Sequence, residues 1–120
     1  MAPVTQEIPQ AAWREYFDDF SKVLPTTKAT VEIVGPDVGD QIAAERQLLT
    51  GISYDHKDDV VVIGLDAPGG LPEDAQHLVY GPKKIFVAGG DGLETVIDIE
   101  DAEGHKTIVR VEPAPALPAE

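Results

Sequence analysis

Gly51-Ile52-Ser53-Tyr54-Asp55-His56-Lys57-Asp58-Asp59-Val60-Val61-Val62-Ile63-Gly64-Leu65 reads as two strands joined by a polar turn. Side chains alternate between the faces of a strand, so Val60 and Val62 point one way and Val61, Ile63 and Leu65 the other. A strand that is apolar on both faces needs two covers. The interior of a curved sheet is expected to supply one, and an amphipathic helix the other.

That helix lies near the N-terminus. Trp13, Tyr16, Phe17, Phe20, Val23 and Leu24 recur at steps of three and four, while Arg14, Glu15, Asp18, Asp19, Ser21 and Lys22 take the opposite side. Pro9 suits a first helical turn and Pro25 cannot continue the pattern, which predicts a helix from about Pro9 to Leu24. An apolar stripe of this period is normally buried, so Trp13, Phe17 and Phe20 are expected against the sheet.

Further strands are expected on both sides of the central pair. Lys28 to Val34 alternates and is β-branched, and Gly35-Pro-Asp-Val-Gly39 follows with turn chemistry. Gln41 to Leu49 holds good helix formers, Ala43 to Gln47, but no helical stripe, and its place between strands predicts a strand. A loop over Asp66–Asp74 leads to short strands at Gln76–Tyr80 and Lys84–Ala88, then a tight turn at Gly89–Gly92. Leu93 to Glu100 alternates cleanly. A three-residue loop Ala102-Glu103-Gly104, left-handed at Gly104, pairs Ile99 with Thr107, Ile97 with Val109, Thr95 with Val111 and, on the other face, Glu100 with Lys106. The fold class is therefore α+β and mostly β, with one helix packed on a curved antiparallel sheet or partial barrel of seven or eight strands. A single domain is expected over residues 1–112, followed by a Pro-rich extended tail, 113–120.

Charge narrows the function. With 22 acidic against 9 basic residues the net charge is −13, which repels nucleic-acid phosphates and anionic lipid. Cysteine is absent, so thiolate chemistry and Cys-based metal sites are not available. Met1 to Pro9 has neither a basic start nor an apolar run, and no stretch approaches a membrane span. A cytoplasmic protein that binds neither nucleic acid nor membrane is expected.

An ordered set of short motifs resembles a family of small bacterial proteins of unknown function. It comprises Ile8-Pro-Gln-Ala-Ala-Trp13, Tyr16-Phe-Asp-Asp-Phe-Ser21, Val31-Glu-Ile-Val-Gly-Pro-Asp-Val-Gly39, Leu49-Thr-Gly-Ile-Ser-Tyr-Asp55, His77-Leu-Val-Tyr-Gly-Pro82, Asp101-Ala-Glu-Gly104 and Thr107-Ile-Val109. The resemblance spans nearly the whole chain and implies a bacterial, cytoplasmic protein. It brings no catalytic residues with it.

Chemistry-bearing motifs are sparse. His56, His77 and His105 stand in no paired metal spacing, and Asp55-His-Lys-Asp-Asp59 lacks the alternating acids, glycine and distal Glu of a calcium loop, so it reads as a solvated turn. Gly89-Gly-Asp-Gly92 leads into a strand, whereas phosphate loops lead into a helix. Ser21 and Ser53 have no nucleophile-elbow context. No catalytic residue, metal or cofactor is expected. The expected function is noncatalytic binding of a protein or small ligand; an enzyme or ligand pocket near His77 and Tyr80, with Tyr54, is the alternative. Glu94, Asp98 and Glu100 should line one face of their strand as an acidic stripe suited to a basic partner. The partner's identity and the oligomeric state are not legible.

Overall fold

The computed structural model describes residues 5–22, 27–37, 39–66, 76–89 and 94–113. The expected segments at 23–24, 67–74, 90–93 and 114–120 lie outside the described residues. Eight strands form one antiparallel sheet: β1 (Gln6–Ile8), β2 (Lys28–Gly35), β3 (Gly39–Asp55), β4 (Val60–Asp66), β5 (Gln76–Tyr80), β6 (Pro82–Ala88), β7 (Thr95–Asp101) and β8 (Lys106–Val111). Their order across the sheet is β1-β6-β7-β8-β2-β3-β4-β5. The helix α1 spans Trp13–Lys22 and is preceded by a 3₁₀ turn at Gln10–Ala12, so the helical segment starts as a tighter turn after Pro9.

The sheet is curled, and connectivity alone requires it. β5 is the last strand of the order and β6 the second, yet Gly81 is the only residue between them. Gly81 turns this corner at φ 63°, a left-handed value that suits glycine, and its N–H donates to the Asp59 carbonyl at 2.9 Å. The curvature makes one face an interior. Successive ladder partners Val87, Ile97, Val109, Val31 and Ala44 form one inner row, and Ile8, Ile85, Ile99 and Thr107 another. Trp13 and Phe17, 1% and 0% exposed, join the same cluster as Val61, Ile63 and Leu65.

This arrangement corrects the expected double cover of β4. Helix and sheet interior lie on the same side, over Val61, Ile63 and Leu65. Val60 is buried outside that cluster, flanked across the ladders by Asp55 and Tyr80. Of the second apolar face, Val60 is thus shielded by its in-plane neighbours, while Val62 stays half-exposed. Trp13 also anchors β1, because its indole Nε1–H donates to the Ile8 carbonyl at 2.8 Å. Phe20 and Tyr16 are half-buried against the cluster.

The β7–β8 register is the expected one at every pair named from the sequence, and Gly104 adopts φ 86°. Gln41 to Leu49 is a strand, as expected, but it continues unbroken through the first half of the central hairpin. The register of β3 shifts twice against β2 and once against β4. The bulges bend β3 and reverse its alternation, so Ile42 is 56% exposed while Ala44, two residues on, is buried.

Candidate functional site

Beyond Leu48, β3 parts from β2 and keeps β4 as its ladder partner. Its freed edge needs other partners for its backbone groups. The last turn of α1 supplies them: Ser21 Oγ donates to the Ile52 carbonyl at 2.7 Å and accepts from the Ile52 N–H at 3.0 Å. One hydroxyl thus stands in for a neighbouring strand. Leu49 N–H donates to the main-chain carbonyl of Thr27, the residue before β2, at 3.0 Å.

Where helix and bent strand meet, an open trough of about 450 Å³ runs along the seam. Asp18, Ser21 and Lys22 line it from α1, and Thr50, Ser53, Val62 and Gln76 from β3, β4 and β5. Gly64 makes room for its neighbour on β3, because a Cβ there would collide with Thr50 Oγ1, whereas one on Gly51 would make ordinary contact with Ser21 Oγ at 3.4 Å. None of these residues stands out as chemistry-bearing in the sequence; the legible signal is a glycine inside each of two adjoining strands, a mark of close approach.

The three residues expected near a pocket are not gathered in one. His77 and Tyr80 are three apart on β5, so they point to opposite faces. His77 lies across from Ile63 on the inner side, half-buried, and burial pulls its pKa below the ordinary histidine value. No hydrogen bond joins its ring to another described residue. Tyr54 is on the inner face too. Its ring meets Trp13 edge to face at 5.2 Å, and its hydroxyl donates to Asp59 Oδ1 at 2.7 Å. Burial, then the Asp59 hydrogen bond and charge, push its pKa up. Tyr80 is on the outer face and 65% exposed.

The acids of β7 divide in a similar way. Glu94 lies 3.8 Å from Arg110 and Glu100 3.7 Å from Lys106, so two members of the expected stripe have cationic neighbours. Asp98 sits between Phe86 and Ile108 in the outer row, with Oδ1 buried and unpartnered among the described residues. Burial raises its pKa, Glu100 adds to the rise, and Lys106 opposes it.

The carboxylates of the β3–β4 turn bind the chain itself. Asp55 Oδ1 accepts the N–H groups of Lys57 and Asp58 at 3.0 and 3.3 Å, and Asp59 accepts from Tyr54. Among the described residues no group of three or more His, Asp or Glu side chains is placed to hold a metal ion. No helix among them is long and apolar enough to cross a membrane.

No solved structure matches the chain. An uncharacterised protein of Aquifex aeolicus (strain VF5) is 42% identical over 114 residues, which cover 95% of this chain and 97% of that protein. A family model matches residues 4–120, and the chain belongs to that family, DUF5335, a family of unknown function.

Proposed function

We propose that the protein is a noncatalytic binding domain and that the seam trough takes a small polar ligand. The carrying observation is the trough itself. Its volume of about 450 Å³ falls within the range of small-molecule clefts, roughly 300–1,000 Å³. Asp18 and Lys22, one helical turn apart, bring opposite charges, while Thr50, Ser53 and Gln76 bring hydroxyl and amide groups. That lining suits an uncharged or zwitterionic molecule rich in hydrogen-bonding groups. Ser21, which lines the trough, is engaged on both sides by Ile52, which disfavours it as a nucleophile. The absence of cysteine keeps a reducing cytoplasm as the favoured setting.

A panel of polyols, small amides and zwitterionic amino acids, titrated with amide NMR detection, tests this reading. A binding compound should shift Gly51, Ser53, Gly64 and Gln76 together. Ser53→Val combined with Gln76→Leu should weaken it about tenfold or more, the scale expected when polar groups of a ligand lose their partners. His77→Ala, on the other face, should leave binding unchanged. Turnover of a panel compound that vanishes in His77→Ala would replace this reading with an enzyme.

A further inference from the structure

The two end strands of the sheet differ in how they are guarded. A sheet edge exposes unpaired N–H and C=O groups, and proteins normally blunt it with shortness, charge or proline. β1 has all three: it is three residues long, carries exposed Glu7 at its centre, and runs into Pro9. β5 is five residues long, Gln76-His77-Leu78-Val79-Tyr80, and contains no carboxylate, lysine, arginine or proline, its one titratable base, His77, being half-buried on the inner face. Among the described residues its only ladder partner is β4. Its outer side chains include Leu78 and Tyr80, 39% and 65% exposed, and Leu78 continues the apolar surface of half-exposed Val62 across the ladder.

We propose that β5 pairs antiparallel with β5 of a second copy of this chain, and that Tyr80 of the second copy closes the open side of the seam trough beside Gln76. The second part rests on the binding reading of the trough; the first does not. Pairing about a two-fold axis at Leu78 is self-matching: Leu78 meets Leu78 of the second copy, Gln76 meets Tyr80, and His77 meets Val79. Gln76 and Tyr80 are four apart on one strand, so both stay on the outer face, where Gln76 lines the trough. Charge selects the location. Two chains of net charge −13 repel at long range, and the uncharged β5 edge lets them meet without opposing like charges directly. An apolar contact opposed by like net charge strengthens as salt screens the repulsion, whereas capture of a basic segment at the same edge weakens.

Sedimentation velocity from micromolar to near-millimolar protein, at low and high salt, reads the association. A dimer that tightens with salt is expected. Leu78→Lys, which puts like charges together on the axis, should give a monomer whose melting curve matches that of the wild type at protein concentrations low enough for both to be monomeric. The chain has no cysteine, so single introduced thiols report position without background. Under oxidation Leu78→Cys should cross-link to itself, and an equimolar mixture of Gln76→Cys and Tyr80→Cys chains should cross-link more than either alone. Glu7→Cys, at the other edge, should not cross-link. A monomer at every concentration and salt, a dimer that survives Leu78→Lys, or cross-linking through Glu7→Cys would overturn edge pairing. A dimer in which the Gln76→Cys and Tyr80→Cys mixture fails to cross-link would overturn closure of the trough. None of these readouts uses a ligand, so they can fail while the trough still binds, and the ligand titration can fail while the dimer stands.

Discussion

The β7–β8 hairpin and the long strand β3 occupy the same sheet and satisfy their backbones differently. β7 and β8 pair from Thr95↔Val111 to Glu100↔Lys106 without a slip, so each backbone group within the ladder is met by its neighbour's. β3 slips three times and leaves β2 after Leu48. Its displaced groups are met singly: Arg46 N–H, at a left-handed φ of 48°, by Thr30 Oγ1 at 3.1 Å, and the N–H and C=O of Ile52 by Ser21. A regular ladder spreads its hydrogen bonding over many equivalent residues. A bent strand concentrates it in a few side chains, and here the bend also opens the trough. Damage to β3 should therefore be traceable to single residues, while the hairpin should tolerate comparable changes.

The most severe test removes what presses α1 onto β3. Phe17 is 0% exposed within the shared cluster, and Phe17→Ala should cost about 3–5 kcal/mol of stability in a denaturant titration. A near-wild-type midpoint would mean that the helix is peripheral to the core. Ser21→Ala is the finer cut. It strands both polar groups of Ile52 at a part-buried site, which costs about 1–3 kcal/mol. Hydrogen exchange should also speed up at Ile52 more than at Ile97 or Val109 of the regular ladder. Uniform acceleration throughout would show that β3 does not open separately.

The same contrast explains what was legible beforehand. For β7 and β8, both faces made sense in one register: Ile97 with Val109 inside and Glu100 with Lys106 outside. Alternation is a local signal, and nothing interrupts it there. Between Gln41 and Leu49, bulges shift the phase, so Ala44 faces the core and Ile42 does not, a pattern neither strand nor helix period reproduces. The segment's position between strands indicated a strand where periodicity could not. β1 left no readable trace, because only Ile8 of its three residues is buried and its partner Ile85 is far along the chain. The trough is drawn from four elements that no single motif spans, and the sequence reading does not find it; a glycine within each of two adjoining strands, Gly51 and Gly64, is the only local trace it leaves. His77 and Tyr80 looked adjacent in sequence, yet an odd spacing on a strand separates them.

The smallest expected effect lies where the two regions are joined at their turns. His105, at the end of the β7–β8 turn, places Nε2 2.8 Å from Asp37 Oδ1 in the β2–β3 turn and Nδ1 3.5 Å from Asp101 Oδ2. Its ring packs against Gly35, where a Cβ would collide with it. The Asp37 hydrogen bond raises its pKa above the ordinary 6.5, burial opposes the rise, and the charges of Asp37, Asp101 and Glu103 add to it. Asp37 is lowered from 3.8, chiefly by the same hydrogen bond. A raised histidine stabilises the fold fully below its unfolded pKa and loses that contribution as pH rises through the folded one. A lowered aspartate loses its contribution as pH falls through its folded value. The tie should therefore be strongest between about 3.8 and 6.5 and fade above that window. The melting temperature of wild type minus that of His105→Gln should be small and positive within the window and shrink at higher pH, the small size reflecting solvent screening of an exposed pair. NMR titration of the ring should give a pKa above 6.5 that falls back in Asp37→Asn. A ring that titrates identically in both proteins would show that the two turns are not tied through this pair, leaving the β8–β2 ladder and the Arg46–Glu112 ion pair to couple the regular hairpin to the bent strand.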